Sequence, residues 1–201
     1  TIKRIMQFSP FVSLEDFLTR VDPRAQEAEN LARVGALDGL GKIPSILRRL
    51  QNGGWQQNQM SLFEWTDTSE EDWTLEQKVT AQLEILGASL DAHPLELVSE
   101  KIIAAGAIST IEAIERIGRR VTVAGVRQTS HRSRTAKGDS MLFLTLEDLN
   151  GTLDAILFPE VYRRAKSLFD SSKPFLITGM MEMDTERGEP FLRAEKVVLV
   201  G

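Results

Sequence analysis

Apolar residues recur at helical spacing through the first fifty positions of the chain. Residues 13–21 predict a helix with one apolar face, capped by Ser13 with Asp16 at the third position. The face is formed by Leu14, Phe17, Leu18 and Val21. Val12 and Phe17 are expected to form a hydrophobic staple around the cap. Further helices are predicted over residues 24–35 and 44–50, so residues 1–50 are expected to form a small all-α unit.

Helical patterning returns at Thr74, after a change of composition. Thr74 with Gln77 forms a capping box that opens a helix with an apolar face. Helical stretches also follow Pro94 and cover residues 108–117. Residues 74–117 are therefore predicted to be a helical connector. The polar and acidic segment before it, residues 51–73, is predicted to be a flexible linker.

At Gly118 the apolar period changes from that of a helix to that of a strand. Residues 141–148 alternate, and Asn150 and Gly151 form a two-residue hairpin signal. Strands are predicted over residues 120–127, 141–148, 152–158, 174–183 and 191–200, with a helix over residues 159–170. Three strands, a helix and two strands are the order of an OB-fold. The predicted fold class is α+β and multidomain, with a five-stranded OB-fold β-barrel over residues 118–201.

Composition excludes several classes of site. The chain has no cysteine and two histidines, so neither a disulfide nor a metal centre is expected, and no cofactor is predicted. No apolar run is long enough to span a membrane, so no membrane partner is predicted, and a cytoplasmic location is expected. Because the chain begins at Thr1 without an initiator methionine, we expect it to be a piece of a longer protein.

Basic residues concentrate where the first two strands are predicted to be joined. Residues 118–201 carry 13 Lys and Arg, and six of them precede the first acidic residue, Asp139. Residues 129–140 are predicted to be a basic, flexible loop that contacts the phosphates of a single strand, with a nearby aromatic side chain as a stacking platform. The candidate nucleic-acid ligands are Arg127, His131, Arg132, Arg134, Lys137 and Phe143. The alternative is that the loop is a solvated run of charges and that Phe143 covers a helix.

A short apolar island lies inside the predicted linker. It comprises Gln59, Met60, Ser61, Leu62 and Phe63. A glutamine followed at a fixed offset by a Leu-Phe pair is typical of a docking peptide, in which the apolar pair fills a pocket and the glutamine bonds at its rim. The alternative is that Leu62, Phe63 and Trp65 pack back on a neighbouring helix.

No arrangement of residues indicates catalysis. The sequence has no phosphate-binding loop of the required spacing, and its two histidines support no nucleophile–base pair. The chain is therefore expected to have no catalytic residue and not to be an enzyme in its own right.

Several segments together resemble the bacterial DNA polymerase III alpha subunit, a C-family polymerase. Residues 10–17 (PFVSLEDF) and 28–41 (AENLARVGALDGLG) are similar to its helix-hairpin-helix region. Residues 84–95 resemble its helical connector, with Ala92 where glycine is usual. Residues 135–161 are similar to its OB domain. The resemblance covers nearly the whole chain in order.

The resemblance implies an accessory role inside a polymerase. It implies that residues 1–50 grip duplex DNA, with residues 2–7 as the last helix of a truncated first hairpin. It further implies that residues 59–63 bind the sliding clamp and that the OB domain holds single-stranded template. Other replisome subunits are further candidate partners. Two alternatives stay open: the same region of an error-prone, damage-tolerant polymerase of this family, or a free-standing OB-fold protein that binds RNA or single-stranded DNA.

Overall fold

The computed structural model describes residues 1–51, 71–171 and 173–200. The chain divides into two compact units, Thr1–Ala92 and His93–Gly201. Each unit has its own hydrophobic core. The boundary falls inside residues 74–117, the stretch predicted to be a connector.

The first unit is all-α in its described residues. Its helices are α1 Ile2–Phe8, α2 Leu14–Val21, α3 Ala25–Arg33, α4 Ile43–Gln51 and α5 Leu75–Leu86. The Ser13 hydroxyl accepts the Asp16 N–H at 3.1 Å, which confirms the predicted cap of α2. The whole predicted apolar face of α2 is buried and packs with residues of α3 and α4.

The predicted staple at α2 is wrong in its partner. Val12 is 87% exposed, and Phe11 instead packs edge-on against Phe17, with ring centroids 5.2 Å apart. The Arg20 guanidinium lies over the Phe11 ring, 5.3 Å from its centroid. The aromatic contact of Phe11 with Phe17 therefore takes the place of the contact that the motif predicts for Val12.

Helix α5 belongs to the first unit through a buried amide. The predicted Thr74–Gln77 capping box is present, with both reciprocal bonds formed. The side chain of Gln82 is buried; it donates to the Val34 carbonyl at 3.3 Å and accepts the Leu90 N–H at 2.8 Å. These bonds fix α5 to the end of α3 and satisfy an amide that would be costly to bury unpaired.

The second unit contains a closed barrel. After α6 Ser99–Ala104 and α7 Thr110–Ile114, its strands are β1 Arg120–Arg134, β2 Ser140–Glu147, β3 Thr152–Leu157, β4 Phe175–Met183 and β5 Pro190–Leu199. Helix α8, Pro159–Ala165, and a 3₁₀ helix, Lys166–Asp170, lie between β3 and β4. The strand order is β1-β2-β3-β5-β4, antiparallel except for β3 with β5. This is an OB-fold, as predicted.

The alternating leucines of β2 point into the barrel. Leu142, Leu144 and Leu146 are all buried and pack with Val121, Val123 and residues of the other strands. The predicted alternation over residues 141–148 is therefore confirmed, and this row forms the base of the barrel core.

Strand β1 is longer than predicted and takes part in both halves of the barrel. Residues 120–125 pair with β4 and residues 126–134 pair with β2. The predicted loop over residues 129–140 is therefore wrong for residues 129–134, and only residues 135–139 form the turn. The polar composition of residues 129–134 suggested that their backbone groups would bond to water. Pairing with β2 supplies those hydrogen bonds instead.

The pairing of β4 with β5 depends on a glycine. Glu195 is an extra residue in β5, since Thr178 pairs with Lys196 and Gly179 with Ala194. A Cβ atom placed on Gly179 would lie 2.1 Å from the Arg193 carbonyl oxygen. The backbones approach so closely that only glycine fits at this bulge.

We expect Gly179→Ala to destabilise the barrel by about 3 kcal/mol, the upper part of the range for overpacking, because backbone atoms on both strands must separate. Urea unfolding monitored by circular dichroism measures this change. Gly151→Ala is the control, since its Cβ would meet its nearest neighbour at 3.4 Å. Equal losses in the two variants would contradict a specific clash at Gly179.

Candidate nucleic-acid interface

A bulge in β1 decides which side chains face outward. Arg127 pairs with Leu146 and Thr129 pairs with Thr145, so Gln128 is an extra residue. Because successive side chains alternate between the two faces of a strand, one extra residue reverses the alternation beyond it. Cross-strand partners share a face, so the side chains in register with buried leucines of β2 lie on the inner side.

The outer side of the hairpin carries an aromatic pair. His131 is in register with Phe143, and their rings are stacked with centroids 4.7 Å apart and planes 2° from parallel. His131 is exposed and Phe143 is half-buried. The predicted position of Phe143 opposite the leucine face is confirmed, and its ring forms a π surface with a partner that the sequence did not indicate.

The stacked pair belongs to a row of four side chains that are in register across the sheet. Phe143 is in register with Ile156 of β3, and Ile156 is in register with Arg193 of β5. We call His131, Phe143, Ile156 and Arg193 the outer row. Stacking platforms flanked by a cation are the usual means by which OB-folds hold single strands without sequence preference.

The cation in the outer row is already compensated. The Arg193 guanidinium donates to a Glu182 carboxylate oxygen at 2.6 Å, and this bond raises the pKa of Arg193 above its ordinary value. Arg193 therefore brings little net charge to the outer row. Binding here is expected to depend on ring contact more than on phosphate contact.

The predicted basic ligands do not form one surface with the stack. Arg132 is in register with Leu142, and Arg134 with Ser140, so both lie on the side opposite His131. Lys137 lies in the turn after β1. The prediction of one flexible basic loop beside Phe143 is wrong in this respect, because the bulge reverses the alternation.

Arg127 has a structural contact. Its guanidinium donates to the Phe169 carbonyl at 2.8 Å, which ties β1 to the 3₁₀ helix after α8. Fewer of its donors remain for a phosphate than the sequence suggested.

An aspartate holds the turn after β2 in place. The Asp148 carboxylate accepts the Thr110 N–H at 2.7 Å, the Thr110 hydroxyl at 2.8 Å, the Asn150 N–H at 2.8 Å and the Gly151 N–H at 2.9 Å. The predicted hairpin between β2 and β3 is confirmed, but the predicted two-residue turn at Asn150-Gly151 is wrong. Glu147 pairs with Thr152 and the Asp148 N–H donates to the Gly151 carbonyl, so residues 148–151 form the turn. Burial on its own would raise the pKa of Asp148, but these hydrogen bonds outweigh burial and lower it.

Metal sites and membrane-spanning helices can be assessed in the described residues, and the docking peptide cannot. Among residues 1–51, 71–171 and 173–200, no group of three or more His, Asp or Glu side chains is placed to hold a metal ion. No helix in the same ranges is long and apolar enough to cross a membrane. The predicted docking peptide, Gln59, Met60, Ser61, Leu62 and Phe63, lies outside the described residues.

Similar sequences belong to bacterial polymerases. The chain is 29% identical to the DNA polymerase III subunit alpha of Halalkalibacterium halodurans, over 94% of this chain and 18% of that protein. It is 30% identical to the error-prone DNA polymerase of Cutibacterium acnes, over 93% of this chain and 17% of that protein. The DNA polymerase III subunit alpha of Bacillus subtilis is 25% identical, over 89% of this chain and 18% of that protein. The chain thus spans less than a fifth of the length of these relatives.

Similar solved structures match about half of the chain. An asparaginyl-tRNA synthetase from Pyrococcus horikoshii matches 47% of this chain and 22% of its own, at 22% identity and a TM-score of 0.38. A domain of replication protein A from Methanococcus maripaludis matches 42% of this chain and 86% of its own, at 11% identity and a TM-score of 0.33. No protein-family model matches the chain.

We expect Asp148→Asn to destabilise the second unit by about 1.5–3 kcal/mol at pH 7, because charge-assisted hydrogen bonds to Thr110 are lost. The folded pKa is lowered, so the contribution of Asp148 is present above the ordinary aspartate pKa of about 4 and is lost as the pH falls through the folded value. The difference from the wild type in urea midpoint should therefore shrink below about pH 4. Asp170→Asn is the control at an exposed carboxylate. A difference that stays constant at low pH would contradict this role.

Proposed function

We propose that this chain, a homologue of a region of bacterial DNA polymerase III alpha subunits and error-prone polymerases, is a non-catalytic DNA-binding part of such a polymerase. In this proposal the outer row holds single-stranded template, and residues 59–63 tether the polymerase to a sliding clamp. The observation that carries the single-strand role is the parallel stack of the exposed His131 on the half-buried Phe143, on the outer side of the barrel. Nucleotide addition is assigned to other parts of the polymerase.

The chemistry of the outer row favours a single strand over a duplex. Unpaired bases expose π faces that an aromatic platform can contact, whereas bases in a duplex are stacked on each other. Each base–aromatic contact contributes about 1–3 kcal/mol. One stacked pair therefore supports weak binding with little sequence preference, which suits a protein that moves along its template.

The proposed duplex contact of residues 1–50 rests on the resemblance and on one turn. Gly39 and Gly41 have positive φ values and precede α4, in the manner of a tight turn that leads into a helix. The Asp72 carboxylate accepts the Ile43 N–H at 3.0 Å and pairs with the Lys78 ammonium group at 3.0 Å. A duplex phosphate at the start of α4 would take the place of this carboxylate.

The proposed clamp peptide rests on residue types. Burial of Leu62 and Phe63 in a partner pocket would contribute about 1.5–3 kcal/mol each, and ordering the segment offsets part of this. A weak peptide and a weak single-strand site on one chain raise each other's effective concentration. Tethering therefore follows from the combination more than from either contact.

An error-prone polymerase is the second candidate for the parent protein. Relatives with 26% and 30% identity carry that name, and relatives with 25% and 29% identity are named as alpha subunits. The two classes share this region at similar identity. The polymerase sequence outside this segment distinguishes them.

We expect the double variant His131→Ala, Phe143→Ala to bind oligo(dT) about tenfold more weakly than the wild type, because one stacking platform is removed. Fluorescence anisotropy with the full chain measures this affinity. The control is Ile111→Ala with Leu149→Ala, which removes two exposed apolar side chains elsewhere in the same unit. Unchanged affinity in a folded double variant would place the strand on another surface.

The same assay separates DNA from RNA ligands. The proposal expects no preference for a tRNA over single-stranded DNA of equal length. A strong preference for the tRNA would favour the free-standing RNA-binding alternative.

We expect Leu62→Ala with Phe63→Ala to abolish binding to the cognate sliding clamp, because both pocket-filling side chains are lost, while the thermal transition stays nearly unchanged. Surface plasmon resonance with immobilised clamp measures the binding. Gln56→Ala with Gln57→Ala changes the same number of residues in the same segment and should bind normally. A matching loss of thermal stability would show that the island is part of a core instead.

A further inference from the structure

A basic cleft lies on the side of the β1–β2 hairpin opposite the outer row. It has a volume of about 260 Å³. Its polar lining is Arg132, Asp139, Ser140, Tyr162, Arg163 and Lys166. Of these residues, only Arg132 is among the nucleic-acid ligands predicted from the sequence.

Two elements bring the cations of the cleft together. Arg132 lies on the inner side of β1 because the bulge at Gln128 reverses the alternation there. Arg163 and Lys166 are three residues apart, at the end of α8 and the start of the 3₁₀ helix, so they share a face. Tyr162 is buried against the barrel and anchors that face.

The positive charge of the cleft is only partly compensated from within, since one carboxylate accompanies three cations. In the described parts of the chain, Arg132, Arg163 and Lys166 make no ion pair within 4 Å, and Asp139 is the one carboxylate of the lining. Arg164, the neighbour of Arg163 in α8, is paired with Glu160 at 3.5 Å. Three cations that converge without partners at a concave surface favour an anionic ligand.

The size of the cleft admits a phosphate group, and its chemistry favours one. Its volume exceeds that of several water molecules, which occupy about 30 Å³ each, and lies below the range of about 300–1,000 Å³ for drug-sized ligands. Guanidinium groups match the oxygens of a phosphate in pairs, and the Ser140 hydroxyl is a further donor in the lining.

We propose that this cleft is a phosphate-binding site, separate from the outer row, that holds a phosphate of a nucleic-acid strand or of a free polyphosphate. The two surfaces lie on opposite sides of the β1–β2 hairpin and use different chemistry. The outer row contacts bases through aromatic rings, and the cleft binds phosphate through charged side chains. The site would therefore make the binding of a strand depend on salt, which the outer row, with its compensated arginine, would not.

The test removes the two cations that the α8 side of the cleft supplies, and compares this variant with one that loses two cations outside the cleft. Arg163→Gln with Lys166→Gln is the cleft variant. Arg164→Gln with Lys173→Gln is the control, with the same change of charge in the same region but outside the cleft. Both probes are titrated against the full chain: oligo(dT) over a range of salt concentrations, and inorganic triphosphate by calorimetry.

We expect the cleft variant to bind triphosphate about tenfold more weakly than the wild type and the control. If a strand supplies the phosphate, its plot of log affinity for oligo(dT) against log salt should also be flatter by about 0.7, since the one phosphate contact that the cleft makes with a single strand is lost. A loss for triphosphate with an unchanged slope would support the site and identify a free polyphosphate as its ligand. Equal behaviour of cleft variant and control with both probes would overturn the proposal.

The outer-row variant separates this inference from the proposed function. His131→Ala with Phe143→Ala should leave triphosphate binding at the wild-type value, because neither residue lines the cleft. Weaker triphosphate binding in that variant would overturn the separation of the two surfaces. If the outer-row variant binds oligo(dT) more weakly while the cleft variant binds both probes like its control, the cleft proposal alone is overturned.

Discussion

The extra residue at Gln128 of β1 is the constraint on which both candidate surfaces depend. Side chains alternate along a strand, so this residue sends His131 outward and Arg132 inward. Without it, Arg132 would lie opposite Met141, on the side of Phe143, and His131 would lie opposite Leu142, on the side of the buried leucines. One bulge therefore separates an aromatic surface from a basic one on the same hairpin.

The bulge is stable because β1 is held from both directions. Its first part pairs with β4 and its second part with β2, and Arg127, next to the bulge, donates to the Phe169 carbonyl. A strand that changes partners must bend, and a bulge supplies the bend. The barrel closes as a result, and the end of β1 extends beyond it with β2 as its neighbour.

Local signals predicted the elements of this fold well. The caps at Ser13 and Thr74 and the alternating leucines of β2 each depend on residues close in sequence, and the structure confirms all three. The hairpin after β2 was also predicted, although its turn covers residues 148–151 and not Asn150-Gly151 alone. The extension of β1 was missed because residues 129–134 are polar and lack the apolar alternation that indicates a strand, although they pair with β2 across the turn over residues 135–139. Arg163, Lys166 and Arg193 were missed for another reason: register across strands and packing of α8 place them, and no short motif encodes either. Residues 59–63 are the opposite case, since a docking peptide is defined by its sequence alone.

Photo-crosslinking tests the central claim, that the outer row contacts single-stranded DNA, most directly. The full chain is irradiated with oligo(dT) that carries 5-iodouracil, and the crosslinked residues are identified by mass spectrometry. The account predicts crosslinks at His131 or Phe143, since a base stacked on either ring lies in van der Waals contact with it. Crosslinks confined to residues 1–92, with none on β1 or β2, would contradict it.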